Sequence, residues 1–218
     1  MIVSSRLYHA APLHYLPSIL RDGALFAQSV LQHRGIAPRA TAARRDRMLG
    51  LADYVHLSPR SRTPLLADKL RRGYPHALLV FDATAVQALP ETALLPFNAK
   101  AWRGRAAFAP VSDPAERAAL LRRHVETGRC PSLEILVKYG LDLTHVREVA
   151  FLTDAERTLA AGVVAALSLP TPAPLATDSA LFPRCDRYAP VTVEAIADYF
   201  GRCAAARALL PPPLLPFD

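Results

Sequence analysis

Pro131-Ser132-Leu133-Glu134-Ile135-Leu136-Val137 is a short apolar run with one carboxylate set into it. Pro131 bounds it on one side and Tyr139-Gly140 on the other, and its aliphatic, β-branched composition predicts a buried strand. A charge in such a strand costs free energy unless it is paired or solvated, so Glu134 needs an explanation. Two readings are open. Successive side chains of a strand face opposite sides, so Glu134 and Leu136 share a face; on an edge strand that face is wet and Glu134 pairs with one of the many arginines. The other reading is a catalytic carboxylate at the floor of a cleft.

Bulk properties narrow the function classes. The chain has 218 residues, 51% of them hydrophobic, enough for one large domain with a complete core and a tail. A formal net charge of +7, carried mostly by arginine, predicts a surface that attracts nucleic acid or a nucleotide phosphate before a membrane face. Cys130, Cys185 and Cys203 are far apart, with no Cys-x-x-Cys pair and no matching His spacing. That argues against a disulfide framework or structural zinc and for a reducing, cytoplasmic setting. Cys130 reads as a lone buried thiol rather than a nucleophile, since no His or Asn motif accompanies it. The first fifteen residues contain no apolar core of signal-peptide length, and no stretch approaches a membrane span, so a soluble, unexported protein is expected.

Outward from Glu134, the chain alternates short strands and short helices. Residues 6–11 read as a first strand and Leu16 to Arg21 as a helix closed by Asp22-Gly23, with Leu16, Ile19 and Leu20 as its buried stripe. Residues 27–50 are the densest basic segment, with Arg34, Arg39, Arg44, Arg45 and Arg47 on surface turns. Asp53 to Pro59 alternates, with Val55 and Leu57 on one side and Tyr54, His56 and Ser58, all able to hydrogen-bond a ligand, on the other. Leu65 to Arg72 reads as a helix, His76 to Asp82 as a strongly buried strand, and Thr92 to Phe97 as a strand ending at Asn98. Asp113-Pro114-Ala115-Glu116 marks a helix start, with Asp113 as cap. It carries Leu120, Leu121 and Val125 inward. Val146 to Leu152 is a strand and Ala155 to Leu167 a helix; the proline-rich stretch Leu169 to Pro174 then reads as a linker before a last helix over Thr192 to Leu209. Residues 1–168 are expected to form the catalytic domain, and residues 169–218 a linker and C-terminal helix packed on it. Many short strands and no Gly-rich phosphate loop point to a mixed α+β domain rather than a doubly wound sheet.

Four segments in this order resemble the DarT family of bacterial NAD-dependent ADP-ribosyltransferases, toxins that modify single-stranded DNA. They are Leu7-Tyr8-His9 with Leu16-Pro17-Ser18-Ile19-Leu20 and Gly23; Ala43-Arg44-Arg45-Asp46-Arg47; Leu51-Ala52-Asp53-Tyr54-Val55 with Pro59-Arg60-Ser61; and Leu133 to Val137. Asn98-Ala99 also matches, and the resemblance covers residues 6–152. It implies an ADP-ribosyltransferase-like split β-sheet core flanked by short helices, with a helical C-terminal extension. It also implies NAD as co-substrate, no metal, no membrane, a monomer, and a macrodomain antitoxin as partner. By motif position the catalytic glutamate is Glu134, the assisting arginine is Arg45 or else Arg47, and the cofactor contact is His9, to which the ligand-facing side of residues 54–58 adds Tyr54 and Ser58. Arg44, Arg60 and Arg62 then line a groove for single-stranded nucleic acid, DNA before RNA. The match departs at His56-Leu57-Ser58, which is similar to the His-x-His-Leu-Ser type segment of the RNA 2′-phosphotransferase branch, and the tail beyond Leu152 lies outside the resemblance.

The implied chemistry suits these residue types. Nicotinamide leaves ribose through an oxocarbenium-like state, which calls for positioning and a nearby negative charge rather than a metal or a covalent nucleophile. A glutamate supplies that charge, by bonding a ribose hydroxyl or by taking a proton from the incoming base. A base at such a floor must be out of the duplex, so single strands are the natural substrate, and arginines give a salt-sensitive groove. The alternatives are a transferase or 2′-phosphotransferase acting on RNA, and a non-catalytic basic nucleic-acid-binding module in which Glu134 is only a structural ion pair.

Overall fold

The computed structural model describes residues 5–36, 43–96, 110–127 and 133–184 together with Glu194, with side chains omitted for residues 43–45 and 124–127. Asn98, the three cysteines and the expected helix over Thr192 to Leu209 lie outside the described residues, apart from Glu194. The elements in order are β1 (Arg6–Pro12), α1 (Leu16–Asp22), β2 (Ala24–Phe26), α2 (Gln28–His33), α3 (Ala43–Met48) and β3 (Tyr54–Leu57). They continue with α4 (Pro64–Arg71), β4 (His76–Asp82), α5 (Ala83–Gln87), β5 (Thr92–Leu95) and α6 (Pro114–Thr127). The last are β6 (Glu134–Lys138), β7 (Gly140–Asp142), β8 (Val146–Phe151), α7 (Asp154–Ala166) and β9 (Leu175–Thr177). The strands form a four-stranded sheet in the order β1-β4-β8-β9, a three-stranded sheet β3-β6-β5, and a ribbon β2-β7.

The apolar run of β4 sits at the centre of the larger sheet, antiparallel to β1 on one side and to β8 on the other. Its two faces serve different cores. Ala77, Leu79 and Phe81 join Leu7, Ala11, Val149 and Phe151 in the main core. Leu78 and Val80 join Leu66 and Leu70 of α4, Ala150 and Phe182 in a second cluster. A strand covered on both faces has no polar side to alternate, which is why this segment reads as an unbroken apolar run.

The smaller sheet is covered on both faces too. Val55, Leu57, Leu94, Ile135 and Val137 enter the main core. The opposite face, with Ala93, Leu95 and Leu136, is roofed by Leu51 from the loop after α3, with Leu49 and Tyr54 packed alongside. This corrects the wet-edge reading of the Glu134 strand. β6 is the central strand, and Leu136 on Glu134's own face is fully buried, which is worth about 2 kcal/mol. The two sheets meet where Tyr8 and Ser58 exchange backbone hydrogen bonds of 2.8 and 2.9 Å.

Local signals set most element ends. Gly23 closes α1 in the left-handed conformation at φ 67°, and Asp113 Oδ1 accepts from the Glu116 N–H at 2.8 Å at the start of α6. Thr153 and Glu156 form a reciprocal capping box on α7, whose fully buried Glu156 carboxylate accepts from the Leu152 and Thr153 N–H groups at 3.1 Å. In the β2-β7 ribbon a Cβ at Gly140 would stand 3.2 Å from both the Leu25 carbonyl oxygen and the Phe26 ring, so only glycine fits without displacement.

The segment beyond the proline-rich stretch is joined to the larger sheet. β9 pairs parallel to β8, Phe182 is buried in the second core cluster, and Arg62 Nε donates to the Ala180 carbonyl at 2.9 Å. Among the described residues no helix is long and apolar enough to cross a membrane, and no group of three or more His, Cys, Asp or Glu side chains could hold a metal ion.

His76, at the start of β4, is 5% exposed and donates Nδ1–H to the Tyr74 carbonyl at 2.8 Å. Burial pushes its pKa down to about 4. A histidine whose folded value lies below its unfolded 6.5 contributes nothing differential at neutral pH; stability is lost as pH falls through the window between the two, because the unfolded chain takes up a proton that the fold refuses. Between pH 6.5 and 4 that loss is expected to be about 3 kcal/mol from this residue. Urea titrations at pH 7 and pH 4 check it: His76→Gln, which keeps a donor for Tyr74, should lose markedly less stability on acidification than wild type.

Candidate active site

β3 and β6 pair antiparallel with His56 opposite Leu136, so Glu134 lies two residues further along β6 on the same face, diagonal to His56. The result is a direct contact between residues 78 apart in sequence: His56 Nδ1 stands 2.9 Å from Glu134 Oε2. The side chains are 27% and 15% exposed, so the pair is largely sheltered yet open to a ligand. The other ring nitrogen of His56, Nε2, is shut off from solvent and has no hydrogen-bond partner among the described residues.

The electrostatics of this pair follow from its neighbours. Burial alone would push His56 down, but the hydrogen bond and charge of Glu134, the charge of Asp46 and the Leu51 carbonyl outweigh it, and its pKa is raised. The sign for stability is the reverse of that for His76. The ion pair contributes fully below 6.5 and is lost as pH rises through the raised folded value. Asp46, on α3, is half-buried; burial raises its carboxyl, His56 lowers it and Glu134 raises it again, which places Asp46 within electrostatic reach of both.

His9 approaches from the neighbouring sheet. Its Nδ1 stands 3.0 Å from the His56 backbone carbonyl and must donate there, and burial lowers its pKa. A neutral ring with the proton on Nδ1 presents Nε2 as an acceptor. Ser58, next to His9 through the Tyr8 bridge, accepts the Arg60 N–H on its hydroxyl oxygen at 3.0 Å and keeps its own proton to donate. His9, Ser58 and Glu134 therefore gather at the split between the sheets. Nearby, the Ser29 N–H donates to the Ala52 carbonyl at 3.0 Å, while Gln28 Oε1 and Ser29 Oγ are buried without a hydrogen-bond partner among the described residues.

The remaining expected residues are placed less centrally. Tyr54 packs beside Leu49 and Leu51 on the roofed face. Arg47 and Arg60 are exposed, and Arg62 spends its Nε on the Ala180 carbonyl. Arg44 and Arg45 belong to α3, but their side chains fall outside the described set. Among the described side chains, His56 stands against Glu134. His56 was not among the expected site residues, although the alternation of residues 54–58 already placed it on the ligand-facing side.

No family model and no curated protein matches the chain. Solved structures share its fold. DarT of Thermus sp. 2.9 in complex with NAD+ superposes with a TM-score of 0.62 at 16% identity, over 82% of this chain and 98% of that one. The same protein in complex with ADP-ribosylated ssDNA gives 0.63 at 16% identity, over 82% and 96%. Thermosipho africanus DarTG in complex with ADP-ribose gives 0.61 at 13% identity, over 81% of this chain and half of that one. The mixed α+β architecture with its split sheets is the fold expected from the sequence.

Proposed function

We propose that the chain is an NAD-dependent ADP-ribosyltransferase that modifies a base of single-stranded DNA. The carrying observation is Glu134, held by His56 at the junction of the two sheets, in a fold shared with a protein solved with NAD+ and with ADP-ribosylated ssDNA. The residues fit a dinucleotide. His9 offers an acceptor, Ser58 a donor, and Gln28 and Ser29 contribute buried oxygens with no partner among the described residues, the kinds of group that ribose hydroxyls and a carboxamide engage.

NAD supplies an ADP-ribosyl group on a leaving group that departs with the bonding pair, so a new bond to a base nitrogen forms as the bond to nicotinamide breaks. The chain's part is electrostatic and positional. Glu134 places negative charge beside the ribose and accepts the proton that the attacking nitrogen loses. His9 holds its ring in one tautomer through the His56 carbonyl, and the exposed Arg47 and Arg60 supply positive charge for a phosphate backbone. Such a modification of DNA is toxic to the cell that carries it, and the likeness to DarTG supports a toxin paired with an antitoxin, of which a macrodomain is the expected kind.

Mass spectrometry tests the reading. A mixed-base single-stranded DNA incubated with the chain and NAD should gain one ADP-ribose, and the same sequence as a duplex should gain far less. Gain on RNA alone moves the substrate to the runner-up, and retention of DNA on a gel with no gain of mass identifies a binding module.

A further inference from the structure

We infer that His56 is a positioning residue for Glu134, a clamp on the carboxylate through the ring Nδ1–H that grips most firmly as an imidazolium. The inference rests on the transferase reading above and adds a member to its machinery.

Nδ1 faces the Glu134 carboxylate at 2.9 Å, and Nε2 is buried without a hydrogen-bond partner among the described residues. The carboxylate is an acceptor, so Nδ1 must carry a proton to hold it. A neutral imidazole meets this in one of its two tautomers, whereas the imidazolium always meets it and adds charge to the hydrogen bond. Loss of the ring's charge therefore loosens the hold on the carboxylate without abolishing it. The backbone holds the ring in place for this, because the His56 carbonyl is itself tied to His9 and its strand is centred on Leu136 by the β3-β6 register.

Among the described residues, these groups lie around the ring. Glu134 faces it from β6, Asp46 from α3, the neutral His9 from β1, and the Leu51 carbonyl from the loop between α3 and β3. Asp46 gives the basic α3 segment a purpose that its arginines obscure, since it is the one acid among them. Fixing a carboxylate to within a fraction of an ångström acts on the chemical step, whereas NAD affinity rests on other contacts.

The test is transfer of ADP-ribose to the single-stranded oligonucleotide, measured as kcat and KM for NAD between pH 5.5 and 9. In wild type, kcat should fall along an alkaline limb above pH 6.5. His56→Ala should lower kcat roughly 10- to 100-fold with little change in KM, and His56→Asn, which keeps a neutral donor at the Nδ1 position, should recover much of that loss with no alkaline limb. Asp46→Asn should move the limb to lower pH. If His56→Ala does not fold, the profiles of the other two variants decide. Wild-type kcat that is flat across this range, or His56→Ala with unchanged kcat, overturns the clamp while the transferase stands. Absence of transfer by wild type on any nucleic acid removes the transferase reading and the clamp with it.

Discussion

Glu134→Ala is expected to lower ADP-ribose transfer at least about a thousandfold while the chain stays folded. The loss is large because the carboxylate acts where charge develops, in a site sheltered enough that water replaces it poorly: its side chain is 15% exposed and sits on a sheet face whose next residue, Leu136, is fully buried. The fold should survive because Glu134 lies at the end of β6, beyond the apolar cluster of Leu51, Ala93, Leu95 and Leu136 that holds this face together. Removing the acid leaves the His56 imidazole partly exposed and free to give up its proton, so no buried charge is stranded. Single-turnover transfer beside a thermal melt checks both halves; a variant that melts like wild type and transfers like wild type would sink the assignment of Glu134. The same substitution should relieve toxicity in an expression host, and equal growth with either form would count against a DNA-modifying toxin.

The second large effect is expected at His9. Its Nδ1–H is committed to the His56 carbonyl, so only Nε2 is presented to a ligand. His9→Asn keeps a donor near the Nδ1 position and removes the acceptor, which isolates the ligand contact from the structural one. Loss of one such hydrogen bond to a polar ligand is worth about 1.5–3 kcal/mol, and the KM for NAD should rise about 10- to 100-fold. His9→Ala loses both bonds and should also disturb His56, lowering kcat as well. Steady-state kinetics with varied NAD separates the two, and an unchanged KM in His9→Asn would remove His9 from the binding site.

Much of the fold was legible in the chain because its signals are local. The unbroken apolar run of β4, the alternation of residues 54–58, the Asp113 cap and the glycine after α1 each act over a few residues, and the structure has an element at each place. Short elements were less legible. The ribbon of β2 and β7 has three residues in each strand, too few to show a period, and β9 follows prolines that read as a linker. Each of these strands exists because a partner strand completes its backbone hydrogen bonds, a condition set elsewhere in the chain.

The site divides along the same line. Residue chemistry alone singled out Glu134, since a carboxylate inside a buried strand is costly wherever the strand ends up. Its ordered company pointed to His9, Ser58 and the arginine segment. That His56 contacts Glu134 was decided only in three dimensions. Whether His56 meets the carboxylate depends on how β3 registers against β6, and a shift of one residue would have turned His56 to the opposite face. That register is set by Val55, Leu57, Ile135 and Val137 packing into a core built from the whole chain, with Leu51 roofing the other side. The sequence by itself determined that a charge had to be accounted for at Glu134; the tertiary packing decided that His56 answers it, with Asp46 alongside.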